Sequence, residues 1–420
     1  MTPITAQAIA ALDGERLWAD LHELAQFGAR DDGGVARLTL DDNDIQARLW
    51  LAEQARELGG DMQVDPLGNV FVHLPGSAPD LPPITTGSHL DSQPTGGKYD
   101  GAYGVLAGMA ALRAIRETGI QPRHSLEVVS WTNEEGVRFA PGTSGSACFA
   151  GVRSEAETRA LTDAEGITFG EALDTCLARL DDAGVERRPL GTPMQAFIEM
   201  HIEQGPILER RGASTGIVTG IQGVSWFECE VRGTANHAGT TPRAARQDAL
   251  EGACALATAL RNVACDDADR LRFTIGRFQV FPGSVNTIPE RVLFTIDLRH
   301  PDASTLGEFE ARFQALAVQE WAGCTATLTP LSRIDPVTFP TGATHAIAEA
   351  AGELGQCAPR LVSGAFHDAI HLAGHCPTGM IFIPCQGGIS HHPSECINAH
   401  DATAGARLLT ATLCRLACSP

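Results

Sequence analysis

Five short clusters carry residue types that bind divalent metal ions. His89 and Asp91 stand in Gly-Ser-His-Leu-Asp-Ser, Asp100 in Gly-Gly-Lys-Tyr-Asp-Gly, and the adjacent Glu134 and Glu135 in Trp-Thr-Asn-Glu-Glu-Gly. His201 lies in Glu-Met-His-Ile-Glu-Gln-Gly-Pro, and the neighbours His391 and His392 lie in Gly-Gly-Ile-Ser-His-His-Pro-Ser-Glu. Imidazole nitrogen and carboxylate oxygen suit zinc-like ions, and one aspartate can bridge two of them. Two such ions, about 3.5–4 Å apart, activate a water and polarise a carbonyl. Adjacent glutamates cannot point the same way, so one can ligate while the other stays free as a base. The residues themselves leave open which histidine of the 391–392 pair ligates.

Each cluster must be held by the element before it. Short apolar runs at 84–87, 125–131, 196–200 and 378–383 read as strands, and every cluster lies at or beyond such a run or just before a helix. Helical spacing marks 42–58 and 101–118, closed by Gly59 and Gly119. This alternation implies a largely parallel sheet covered by helices, and in an open α/β sheet the carboxyl ends of the strands are where sites form. Taken singly, a histidine or aspartate after a strand usually caps a turn. Five such clusters at one kind of edge point to convergence.

The centre of the chain reads differently. Runs at 215–224 and 226–233 look like paired strands, followed by a helix at 243–263, strands at 271–280 and 291–299, a helix at 305–321 and a strand at 324–331. An antiparallel sheet with two helices, about 120 residues long, is large enough to be a domain. The expected organisation is therefore an outer domain of residues 1–212 and 333–420, interrupted by an inserted α+β domain of residues 213–332.

Composition bounds the rest. The 420 residues include 51 acidic and 31 basic side chains, a formal charge of −20, with 43% hydrophobic and 20% charged residues. That balance fits a soluble globular chain and argues against nucleic acid or an anionic membrane as partner, since each requires a basic face. The first twenty residues lack a basic start and an unbroken apolar core, so no secretory leader is expected. Twelve scattered cysteines without a C-x-x-C pair read as small buried hydrophobes in a reducing cytoplasm.

The run Gly-Ser-His-Leu-Asp-Ser-Gln-Pro-Thr-Gly-Gly-Lys-Tyr-Asp-Gly (87–101) resembles the metal loop of the N-carbamoyl-L-amino-acid hydrolase, β-ureidopropionase and allantoate amidohydrolase family. The likeness continues in order through Asn-Glu-Glu-Gly (133–136), His-Ile-Glu-Gln-Gly-Pro (201–206), Asn-His-Ala-Gly-Thr-Thr-Pro (236–242), Pro-Gly-Ser-Val-Asn-Thr-Ile-Pro (282–289), Asp-Leu-Arg (297–299) and Ser-His-His-Pro-Ser-Glu (390–395). It implies a zinc-peptidase-like α/β catalytic domain with a mixed central sheet, interrupted by a smaller lid and dimerisation domain. It also implies two divalent ions, zinc first, with manganese, cobalt or nickel accepted by the same donors. His89, Asp100 and His201 would bind one ion, and Asp100, Glu135 and His391 the other. Asp91 would orient His89, and Glu134 would be the general base.

The resemblance further implies a substrate set. Arg299 would take a carboxylate, with Asn286, Gln204 and Gly364 beside it, and His237 would polarise the scissile carbonyl from the partner subunit of a homodimer. The implied reaction is hydrolysis of the ureido C–N bond of an N-carbamoyl amino acid, giving the amino acid, ammonia and carbon dioxide. Allantoate or another ureido acid is the nearest alternative; a dipeptidase or deacylase is disfavoured because His201 stands where those enzymes usually place a carboxylate. One departure is Ser-Gly-Ala-Phe-His-Asp (363–368), where the family commonly has glycine in place of Phe366.

Overall fold

The computed structural model describes residues 2–266 and 268–418. Along the chain, β1 (Asp61–Val64), β2 (Val70–Leu74), β3 (Ile84–His89), β4 (Leu126–Trp131), β5 (Glu186–Arg187), β6 (Ala196–Ile202) and β7 (Gly216–Ile221) come first. Then follow β8 (Gly223–Arg232), β9 (Asn236–His237), β10 (Arg272–Phe281), β11 (Thr287–Ile288), β12 (Arg291–His300) and β13 (Thr325–Ile334). The last three are β14 (Val337–Thr338), β15 (Arg360–Ser363) and β16 (Thr378–Ile383).

The chain divides into two compact units, Met1–Thr219 with Phe339–Pro420, and Gly220–Thr338. In the first, the large sheet has the order β7-β16-β6-β3-β4-β2-β1-β5, with β15 paired to β7. Its four central strands, β16, β6, β3 and β4, are mutually parallel. The flanks are mixed: β2 runs antiparallel to β4, and β7 antiparallel to β16. Both faces of the centre are covered, so β3, β4, β6 and β16 are buried at every residue, as parallel strands require. Helix Ala102–Glu117 lies on this sheet and is nearly enclosed, with Val105, Leu106, Met109, Leu112 and Ile115 all buried. Each such side chain contributes roughly 1.5–3 kcal/mol of burial.

Register decides what these strands present at their ends. His89 pairs opposite Trp131, the last residue of β4. Gly87 pairs opposite Glu199, so two residues further along each strand His89 and His201 stand level.

The second unit is a four-stranded antiparallel sheet, β10-β12-β8-β13, with β9 and β11 as a separate pair. Strict alternation along β12 buries Val292, Phe294, Ile296 and Leu298 against helices Ala249–Val263 and Ala303–Ala317. Thr295, Asp297 and Arg299 alternate with them on the opposite face.

Three sequence expectations change. The strands expected to pair with each other at 215–224 and 226–233 are instead β7 in the large sheet and β8 in the small one. The burial patterns give the reason: Gly-Ile-Val-Thr-Gly-Ile in β7 is apolar on both faces, whereas β8 alternates from Ser225 onward. The inserted unit accordingly spans Gly220–Thr338 rather than 213–332. The helix expected from 243 begins at Ala249, because Asp248 caps it by accepting the N–H groups of Leu250 and Glu251; Arg243–Ala245 is a separate 3-10 turn.

Candidate metal centre

The carboxyl ends of β3, β4, β6 and β16 bring the five clusters together. His89 is the last residue of β3, and His201 is the penultimate residue of β6. Asp100 sits just before helix Ala102–Glu117, and the loops after β4 and β16 carry Glu134, Glu135 and His391. Two groups of donor atoms lie within 4.8 Å of one another, His89–Asp100–His201 and Asp100–Glu135–His391. Asp100 belongs to both. Its Oδ1 is 3.0 Å from Nε2 of His201 and 3.8 Å from Nε2 of His89, while Oδ2 is 3.3 Å from Nε2 of His391. Glu135 Oε2 lies 3.6 Å from the same nitrogen of His391. His392 turns away, its Nδ1 2.7 Å from the Ser394 hydroxyl.

Local structure aims these groups. Nδ1 of His89 is 2.9 Å from the Asp91 carbonyl oxygen, and Nδ1 of His201 is 2.8 Å from that of Ile202. A carbonyl only accepts, so Nδ1 holds the hydrogen and Nε2 is the nitrogen left to ligate. Gly101 has φ +64°, and a Cβ there would overlap the His89 ring; glycine alone lets the Asp100 turn approach so closely. Asp91 orients His89 through its backbone, not its carboxylate, which is 3.7 Å from Nδ1. That carboxylate instead accepts the N–H groups of Glu134 and Glu135 (3.3 and 3.2 Å) and the Thr39 hydroxyl (2.7 Å). It thereby fixes the two-glutamate loop. Asn133, Gln204 and His391 hold φ of 62°, 54° and 55°; left-handed strain in non-glycine residues, about 1–2 kcal/mol each, gathers at this edge.

The electrostatics call for cations. Burial, then the charges of Asp368, Glu135, Asp91 and Asp100, hold the Glu134 carboxyl well above its usual range. Burial and Asp100 push Glu135 up to about 8. Burial acts on Asp100 in the same sense, but hydrogen bonds from His201 and His391 outweigh it and hold the group well below its usual value. His391 is raised to about 9, first by its hydrogen bond to Asp100. His201 also reaches about 9, burial opposing and Asp100 prevailing. Protons thus occupy the lone pairs at which metal would bind. Three imidazoles and two carboxylates, one of them shared, fit a pair of divalent ions, and Glu134, with Oε2 3.6 Å from Nε2 of His89, is left over beside them.

The remaining site candidates fall in two places. Gln204 donates to Asp100 Oδ2 at 2.8 Å, and Gly364 lies in the turn between β15 and helix Ala369–Leu372. His237, Asn286 and Arg299 belong to the inserted unit. There Thr287 pairs with His237, and Asn286 accepts the N–H of Ala238 through its carbonyl (2.9 Å), joining the two loops. The Gly239 N–H donates into Nδ1 of His237 at 3.1 Å, so the neutral ring carries its hydrogen on Nε2. Arg299 is clasped by Asp297 through two hydrogen bonds of 2.9 and 2.8 Å.

Sequence reasoning passed over several groups that the fold places here. Gln93 donates to Glu135 Oε2 at 2.6 Å, Ser390 reaches Asp100 Oδ2 at 3.0 Å, and buried Glu395 accepts N–H groups of the Asp100 turn. Buried Glu199 and Asp368 lie beneath, bonded to Ser88 and Ser146. Their only signal was membership of the quoted runs: Gln93 in 87–101, Glu199 just before His201, Asp368 in 363–368, and Ser390 and Glu395 at the two ends of 390–395.

Comparison with known proteins adds a family. The family model described as Peptidase family M20/M25/M40 matches residues 85–415. An N-carbamoyl-L-amino-acid amidohydrolase of Rhizobium meliloti is 40% identical over 400 residues, covering 95% of each chain. An allantoate amidohydrolase of Bacillus subtilis is 38% identical, over 94% of this chain and 95% of that one. The crystal structure of an amidase of the hydantoinase/carbamoylase family from Burkholderia multivorans superposes with a TM-score of 0.90 at 41% identity, covering 98% and 99% of the two chains.

Proposed function

The chain belongs to peptidase family M20/M25/M40, and we propose that within it this protein is a metal-dependent amidohydrolase cleaving the ureido C–N bond of N-carbamoyl amino acids. The products are the amino acid, ammonia and carbon dioxide. The observation that carries this reading is Asp100 presenting one carboxylate oxygen to each of two ligand groups, with Glu134 unused beside them. When bound, two divalent ions supply Lewis acidity to an unreactive urea carbonyl and make water acidic enough to attack it.

The chain's own groups do the rest. Glu134, left outside both ligand groups, takes the proton of the attacking water and returns it to the leaving nitrogen. His237 donates from Nε2 to the carbonyl oxygen as negative charge develops there. Arg299 takes the substrate carboxylate in a fork of two parallel hydrogen bonds, with Asn286, Gln204 and Gly364 adding polar contacts. His237 acts from the partner of a homodimer formed through the inserted unit. Zinc is the expected ion, and the cytoplasm the expected compartment, in keeping with twelve unpaired cysteines. No described helix is long and apolar enough to cross a membrane.

The test is an assay of N-carbamoyl-L-amino acids on protein stripped by chelator and refilled with a defined metal. Turnover lost on stripping and regained on refilling supports the reading; turnover indifferent to chelator overturns it. Allantoate belongs in the same panel, because the relative of that activity matches almost as well. A kcat/KM higher for allantoate than for every carbamoyl amino acid would move the assignment there.

A further inference from the structure

Glu395 is 4% exposed and lies four residues beyond His391. Its Oε1 accepts the backbone N–H groups of Tyr99 (2.9 Å) and Asp100 (3.1 Å). Its Oε2 is 3.0 Å from the hydroxyl of Ser390, the residue before His391. The same hydroxyl is 3.0 Å from Asp100 Oδ2, so its single proton goes to one carboxylate or the other. One side chain thus ties together two loops almost three hundred residues apart in sequence, each carrying a ligand. Gly97 makes room for it: a Cβ at that position would overlap the Glu395 carboxylate.

The other ligands do not need such a tie. His89 and His201 are in β3 and β6, hydrogen-bonded neighbours with the same direction, and Asp91 holds the Glu134–Glu135 loop. His391 stands in a loop, with φ of 55°, that otherwise meets the Asp100 carboxylate through Gln204, whose Nε2 is 3.1 Å from the Ser390 hydroxyl and 3.3 Å from Nε2 of His391. We infer that Glu395 is a positioning residue that docks the His391 loop on the Asp100 turn and so assembles the Asp100–Glu135–His391 metal position in particular. The inference rests on the two-metal reading above.

The experiment is a zinc titration of metal-free protein against a chromophoric chelator, for wild type, E395A, E395Q and G97A. Wild type binds two ions per chain. E395A keeps one at wild-type affinity and weakens the other about 10–100-fold, the usual effect of losing a group that orients a ligand. G97A, which pushes on the carboxylate from the opposite loop, weakens the same step, so the test survives a poorly folding E395A. E395Q stays within about threefold, because its amide oxygen still accepts both N–H groups and its NH2 meets Ser390. In an H391A background the E395A effect disappears. Both ions weakened equally in E395A, or E395Q as damaged as E395A, overturns the inference, since collapse or charge would then be the cause. Two wild-type affinities in E395A overturn it as well, and wild type binding fewer than two ions sinks the metal reading itself.

Discussion

Replacing Glu134 by Gln separates base from ligand. The side chain keeps its shape, and Oε2 lies 3.6 Å from the nearest imidazole nitrogen, on His89. If Glu134 is the base, turnover falls about 10²–10⁴-fold, which is about 2.7–5.5 kcal/mol of barrier, while two ions remain bound. The metal-free protein carries a second signature. The folded-state pKa of Glu134 is raised, by burial first and then by Asp368 and the other carboxylates. Between the ordinary glutamate range and that higher value, the folded state holds a proton that the unfolded chain has lost. Stability therefore falls as pH rises through this window, by at most about 1.4 kcal/mol per pH unit for one proton. E134Q removes that share, so it gains on wild type as pH rises from 5 to 8. Urea unfolding of the stripped proteins reads this gain, and plasma emission reads the metals. Loss of an ion in E134Q would falsify the assignment of roles, as would more than a tenth of wild-type turnover. A stability difference flat with pH would show that the carboxyl is not buried among like charges.

Metal loading should release protons: at pH 7 the stripped protein holds them on His201, His391 and Glu135, raised to about 9, 9 and 8. Calorimetry in buffers of different ionisation enthalpy should report roughly three protons per chain from these ligands and about one more from Glu134, with affinity rising between pH 6 and 9; fewer than one would contradict the ligand set. G101A should destabilise the protein by about 1–3 kcal/mol through its positive φ and weaken the ion held by His89, seen together as a lower melting temperature and a lost metal equivalent. R299A should raise KM about 10–100-fold, as expected for about 1.5–3 kcal/mol of charged hydrogen bonding, and change kcat less. A kcat loss at unchanged KM would place Arg299 elsewhere in the mechanism.

The convergence of His89, Asp100, Glu135, His201 and His391 was legible because these residue types are restricted and their positions follow short apolar strands, so side-chain chemistry and topology point to one edge. His391 could not be told from His392 by sequence: the φ of 55° at His391 and the Ser394 contact of His392 exist only once the loop is folded. Glu395 and Gln93 bond to a backbone turn and to another side chain, and such roles leave no periodicity or fixed spacing. The role of Asp91 was seen only in part, since sequence offers no way to know that its carbonyl and its carboxylate serve different partners. β7 and β8 follow each other so closely that they read as one hairpin; only the two-faced burial of Ile217, Val218 and Ile221 separates them.

The measurement that reaches furthest is anomalous diffraction from crystals grown with zinc. Two peaks about 3.5–4 Å apart, with Asp100 between them, His89 and His201 on one and Glu135 and His391 on the other, are the expected result. A single peak, or two that leave Asp100 bound to one ion only, would contradict the shared-aspartate centre.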